Sequence, residues 1–280
     1  MMYPEASIFV IGLSYGQENV VPMLAVADMF CKKNFPDCKI EHVIVDNKIS
    51  TFYEKAGSAG TLISGDNAYF EFSGWERGIA YINNKFSPSP KDICILVNDT
   101  IHQRNYATGG SHFYEDFVID NISKKWPSRW AAGYVDDFPS PTSICGITFS
   151  TWIRSNFVVF NWNCIDLITP LLFPYPTELL FSDNISDGFW GENAPMSQNW
   201  KAYISCWLFG IEDAQFPEYR LKWLKSRSLT EGNVKYFRRK AICILSEHYL
   251  TARLLQANVH IFDFNTYPKL PTRHLTPYYK

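Results

Sequence analysis

Asn98 and Asp99 stand side by side at the end of an apolar run, Ile93-Cys-Ile-Leu-Val97. Five aliphatic or Cys residues in a row read as a buried strand, and a strand that ends on a carboxylate presents it at a sheet edge. In open α/β sheets that edge is where ligands bind. Taken alone, the pair reads equally well as an Asx turn. Two earlier runs end in the same manner: Ser7 to Leu13 leads into Ser14-Tyr15-Gly16, and Lys39 to Val45 closes on Asp46-Asn47. Three polar strand ends on one side of a parallel sheet make Asp99 a candidate ligand for a metal or a polar substrate.

The elements that must position these groups follow from periodicity. From Asn19 the apolar period changes to that of a helix, with Val20, Leu24, Met29 and Phe30 near one face to about Lys33 and Pro22 tolerated in the first turn. Strand, helix, strand at this spacing is a βαβ unit with a right-handed crossover. Thr61 to Asn67 reads as a short strand or turn, and Phe72 to Phe86 as a helix with Trp75, Ile79 and Ile82 on its inner face. Trp75 there is core rather than a sugar platform. Glu71 is either the partner of a basic group near the site or a solvated first-turn glutamate.

A helix is predicted over Phe113 to Trp126 and a strand over Arg129 to Val135, ending in Asp136-Asp137. Ile144 to Ile165 reads as a pair of antiparallel or edge strands with a turn near Arg154-Ser155-Asn156. Beyond Pro170 come an acidic loop carrying Asp187 and Glu192, a helix from about Ser197 to Phe209, and a helix from about Val234 to Gln256. The fold class expected is α/β, a mixed and mostly parallel sheet flanked by helices, with a helical C-terminal portion.

Composition narrows the function. The chain has 280 residues, net charge -2 and 16% aromatic content. That charge argues against a nucleic-acid binder. Seven scattered Cys, never in a CxxC pair, suggest reduced core thiols, with neither a disulfide framework nor a zinc site. His248 and His260 lack spacing partners and read as structural. No basic leader and no apolar run of about 20 residues is present, so a cytoplasmic protein is expected, peripheral at most. Basic residues gather between 220 and 240, either as a solvated face or as an attraction to anionic lipid.

The order of these motifs, Ser14-Tyr15-Gly16, Val45-Asp46-Asn47, Gly65-Asp66-Asn67 leading into Arg77-Gly78-Ile79, then Val97-Asn98-Asp99-Thr100, resembles the nucleotide-binding half of GT-A glycosyltransferases. The phrases Phe70-Glu-Phe-Ser-Gly-Trp75-Glu and Val97-Asn-Asp-Thr100 resemble small family 2-like enzymes of bacterial surface-polysaccharide (O-antigen or capsule) assembly. The resemblance runs from about residue 6 to 165 and thins afterwards. It implies a Rossmann-like GT-A core with acceptor strands over 1-169, and over 170-280 an acceptor loop and C-terminal helical extension packed on the same domain.

The resemblance also implies roles. Tyr15 and Asp46 would flank the nucleobase of a nucleotide-diphosphate sugar, Ser14 would belong to the same nucleotide-sugar site, Asn67 would lie along the ribose and diphosphate, and Asn98-Asp99 would replace the usual Asp-x-Asp, with Asp99 holding Mn²⁺ or Mg²⁺. Here one carboxylate stands where two are usual, so metal binding should be weaker, and Arg104 or His102 could help a metal-independent site. Inverting transfer to a glycan or lipid-linked glycan hydroxyl needs a carboxylate base. Asp136, Asp137, Asp187 and Glu192 are the candidates; position near a helix start favours Asp187 or Glu192, and Asp137 could instead bind acceptor hydroxyls. Two other readings stay open: a non-catalytic glycan-binding or scaffold protein, and a sugar-phosphate nucleotidyltransferase, which should carry a Gly-rich, basic loop that Ser14-Tyr-Gly-Gln-Glu18 lacks.

Overall fold

The computed structural model describes residues 6–101 and 128–264. The helix expected over Phe113 to Trp126, and His102 and Arg104, lie outside the described residues. Strand β1 (Ser7–Ser14), helix α1 (Val20–Asn34) and strand β2 (Lys39–Asp46) open the fold, followed by the short strands β3 (Glu54–Gly57) and β4 (Gly60–Ser64). Helix α2 (Phe70–Phe86) then leads into β5 (Ile93–Asn98). A long hairpin of β6 (Trp130–Ile144) and β7 (Ile147–Asn161) comes next, then α3 (Gln198–Phe209), α4 (Val234–Gln256) and β8 (His260–Asp263).

All eight strands form one mixed sheet in the order β3-β4-β2-β1-β5-β7-β6-β8. β4, β2, β1 and β5 run parallel, and β7 joins β5 antiparallel. The alternation of side chains along β1 sets the two faces. Ile8 and Val10 pack with Met23, Ala27 and Phe30 of α1, whereas Phe9, Ile11 and Leu13 pack with Phe72, Trp75 and Ile79 of α2. The two crossovers therefore lie on opposite faces, and the chain reverses its winding between β1 and β5. That is the topological switch point of a doubly wound sheet. Gly78 lets α2 sit close, since a Cβ there would meet Ile11 Cγ2 at 2.3 Å.

The hairpin corrects one expectation. β7 runs unbroken through Arg154-Ser155-Asn156, and the turn falls at Cys145-Gly146, where both residues have positive φ (51° and 77°), as a two-residue hairpin turn requires. The polar run does not turn because two of its members are answered across the fold: Arg154 forms a bidentate pair with Asp136, and Ser155 donates its amide to Glu247. β6 likewise continues past Asp136-Asp137, with register shifts between Gly133 and Val135 and between Asp137 and Thr142.

Much of the aromatic content builds a further core around the outer hairpin. Phe138, Phe149 and Trp152 pack there with Phe181, Phe189, Trp200 and Phe209. α4 takes part in this core through Phe237, Ile244 and Leu245, and in the sheet core through Cys243, Leu250 and Leu254. No helix among the described residues is long and apolar enough to cross a membrane.

Candidate functional site

The switch point gathers the polar strand ends. Ser14, Asp46 and Asn98 are the last residues of β1, β2 and β5, and backbone pairing sets Ser14 beside Asp46 and Leu13 beside Asn98. The Asp99 amide donates to the Leu13 carbonyl at 3.0 Å, and the Asp99 carboxylate accepts the Tyr15 amide at 3.1 Å. One oxygen of Asp46 accepts from both Gly16 (2.8 Å) and Lys48 (2.9 Å), and the positive φ of Gly16, 88°, turns its amide inward. The loop after β1 is thus held open by two carboxylates.

Asn67 reaches this edge through Asn47, whose side-chain oxygen accepts the Asn67 amide at 3.4 Å, while the Asn47 amide donates to the Ser14 carbonyl at 2.9 Å. The Asn98 side chain donates to the Ser155 carbonyl at 3.4 Å and accepts from the amide and hydroxyl of Thr100 at 3.1 and 2.6 Å. Five of the expected residues, Ser14, Tyr15, Asp46, Asn98 and Asp99, share one edge, with Asn67 one hydrogen-bonded residue away. Tyr15 keeps its ring in solvent, 64% exposed. At this edge two buried polar atoms lack a partner: Ser14 Oγ, on a residue 2% exposed, and Asn156 Oδ1, on a residue 6% exposed that follows Ser155 on β7. Buried oxygens without partners are rare, and at a sheet edge they point to a ligand or water.

The expected base residues stand apart from this network. Asp137 is exposed on the outer half of β6 opposite Thr151, and Asp136 is taken by Arg154 at 2.5 and 2.6 Å. Asp187 closes an exposed 3-10 turn, Ile185–Asp187, and accepts from the Ser186 hydroxyl. Glu192 is also exposed. Their loop is moored to α4 where Arg238 donates to the Ser182 carbonyl at 2.6 Å and covers the Phe181 ring.

Four residues at the site were not assigned from sequence: Arg239, Lys240 and Glu247 of α4, and Asn47. Arg239 donates to the Ala68 carbonyl at 2.8 Å and to the Asn67 carbonyl, with its guanidinium over Phe70. Lys240 lies 4.0 Å from Glu71, which settles Glu71 as the partner of a basic group. Glu247 accepts the Ser155 amide at 2.5 Å, and the Ser155 hydroxyl reaches Glu71 at 3.4 Å. Burial pushes the Glu247 carboxyl above the usual carboxylate range, against the opposing pull of the Ser155 hydrogen bonds and Lys240. Burial disfavours the Lys240 cation, yet the surrounding Cys243, Glu71 and Glu247 hold its pKa above the ordinary lysine value. The only signal in the sequence was Lys240 and Glu247 seven residues apart on one helix face, amid apolar residues.

The basic stretch therefore divides. Arg238, Arg239 and Lys240 turn inward, while Arg220, Lys222, Lys225, Arg227 and Lys235 are exposed around Leu224. His248 accepts from Trp200 Nε1 at 3.0 Å within the aromatic core, and burial pushes its pKa down to about 3, so it is a neutral structural acceptor. Trp75 is fully buried and donates to the Val97 carbonyl at 3.4 Å.

Among the described residues no three His, Cys, Asp or Glu side chains come together as a metal-holding group. At the switch point the Asp99 carboxylate accepts the Tyr15 amide, one Asp46 oxygen is engaged by two amides and Asn98 Oδ1 by Thr100. A hard cation would take its protein ligand here from Asp99, because such ions are held by one or two carboxylates together with substrate phosphates. No protein-family model matches the chain, and no curated protein matches it.

Proposed function

We propose that this chain is a nucleotide-sugar-dependent glycosyltransferase with a GT-A type site at the β1–β5 switch point. The observation that carries the reading is the joining of the three strand ends by their own side chains around Tyr15-Gly16, with two unpartnered buried oxygens beside them. A doubly wound sheet binds its ligand outside these strand ends.

In this reading the exposed Tyr15 ring stacks on the nucleobase, and the Asp46 carboxylate, which first organises its own loop, faces the base edge. Asn67 and Asn98 line the ribose and diphosphate. Asp99 would hold a divalent cation, which would neutralise charge on the departing diphosphate. Asp187 or Glu192 removes the acceptor hydroxyl proton, the hydroxyl oxygen displaces the nucleoside diphosphate from the anomeric carbon in one step with inversion, and Asp137 serves acceptor hydroxyls. The acceptor is a glycan hydroxyl of surface-polysaccharide assembly. The exposed cations around Leu224 suit a peripheral position on an anionic membrane carrying a lipid-linked acceptor.

A thermal-shift panel of nucleoside diphosphates and nucleotide sugars, with and without Mn²⁺, tests this. Stabilisation by one base's diphosphates, lost in Asp99→Ala, is the expected result. Indifference to every nucleotide rejects the reading.

A further inference from the structure

We infer that Glu247 of α4 is a positioning residue for the turn that carries Asp99, acting through Ser155 and Asn98. The path is continuous and polar. Glu247 Oε1 accepts the Ser155 amide, the Ser155 carbonyl accepts the Asn98 side-chain amide, and Asn98 Oδ1 takes both donors of Thr100. Asp99 is the residue between the two partners of that last contact, so the turn presenting its carboxylate is fixed by the Asn98 side chain.

The same helix holds the opposite lip. Arg239, eight residues before Glu247, binds the carbonyls of Asn67 and Ala68 ahead of α2. Eight residues is slightly over two turns, so both grips lie on one side of α4. Lys240 sits between them in sequence and faces Glu71 at 4.0 Å, and its charge opposes the burial that pushes the Glu247 carboxyl up. An exposed salt bridge would carry little, but here a carboxylate accepts a backbone amide of a strand that borders the site. The arrangement makes α4 a clamp across the switch point, with each lip anchored by a charge-assisted hydrogen bond.

The role of Asp99 rests on the function proposed above; the relay itself does not, and hydrogen exchange separates the two. Amide exchange of the whole chain is followed in wild type, Glu247→Gln and Glu247→Met. Gln retains an acceptor oxygen for Ser155 and Met does not. The expected result is exchange about tenfold faster at Ser155 and Thr100 in Glu247→Met, unchanged protection of Val43 to Val45 in β2, and near wild-type rates in Glu247→Gln. A uniform rise across β1, β2 and β5, or no rise at Thr100, overturns the relay. Asn98→Ala provides the reverse test if Glu247→Met fails to fold: Thr100 should lose protection while Ser155 keeps it, and loss at both positions overturns the order of action. A nucleotide affinity unchanged in a variant that does show the local exchange would reject the link to Asp99 function and leave the relay standing.

Discussion

Asp46 ends β2 and Asp99 follows β5, yet their carboxylates bind consecutive amides of one loop: Asp99 accepts from Tyr15 at 3.1 Å and Asp46 from Gly16 at 2.8 Å. The loop over the switch point is shaped by the same kind of group that would face a ligand. Replacing either aspartate should therefore separate structural from functional roles, because the two differ in burial and in what they leave behind.

Asp46→Ala takes the shared acceptor from the amides of half-buried Gly16 and exposed Lys48, at a cost of about 1–2 kcal/mol. Urea unfolding should show it as a lower midpoint with an unchanged slope. Asp46→Asn keeps one acceptor oxygen and should lose less than half as much.

Asp99→Asn keeps an acceptor for Tyr15, so stability should stay within about 1 kcal/mol of wild type. Turnover of the nucleotide-sugar donor should fall by about two to three orders of magnitude, together with any stimulation by Mn²⁺. Equal activity in the variant would remove the metal role.

His248 gives a pH dependence of known sign. Its folded pKa of about 3 lies below the ordinary 6.5, so between these values the unfolded chain binds the extra proton. Its contribution is complete above about pH 6.5 and declines as pH falls toward 3, with a slope of up to about 1.4 kcal/mol per pH unit. His248→Gln, which can still accept from Trp200, should flatten the difference between urea midpoints at pH 7 and pH 5.

Gly78→Ala puts a methyl group 2.3 Å from Ile11 Cγ2 and 3.4 Å from Val45 Cγ2. Both atoms belong to β-branched side chains of central strands that cannot swing away. The overpacking should exceed the helix propensity that alanine gains, for a net loss of about 1–2 kcal/mol measured by thermal unfolding.

Leu224 is 96% exposed, among the exposed cations Lys222 and Lys225. Sedimentation with phosphatidylserine vesicles should show binding that weakens about fivefold for each of K222E and K225E and falls at high salt. Absence of binding at low salt removes the membrane from the proposal.

The parallel half of the fold was legible because it is written in local periodicity. β1, β2 and β5 are apolar runs, α1, α2 and α4 carry apolar residues at helical spacing, and each run ends within a residue or two of the predicted place. β3 gave no such sign: Glu54–Gly57 is exposed throughout and becomes a strand by pairing with β4. β8 is four residues long and is placed by β6. The hairpin turn was misread because Arg154-Ser155-Asn156 has turn composition, and its partners Asp136 and Glu247 are 18 and 92 residues distant in the chain. The site shows the same division. Polar residues that end strands could be found from the strands, whereas Glu247 and Arg239 sit in a helix whose charged positions read as solvent-facing until the partner across the cleft is known.

α4 is also late. The strand ends that carry the candidate site lie within the first 99 residues, but the helix that binds Asn67 and Ser155 beside them begins at Val234. During synthesis at roughly 5–20 residues per second the strand ends therefore wait on the order of ten seconds for their clamp. Through that interval the side of α2 that later meets Cys243, Leu250 and Leu254 is uncovered. A ribosome stalled between these points would carry a nascent chain with a sheet but no finished cleft, and that chain would offer its apolar face to a chaperone before it could offer a site to a nucleotide.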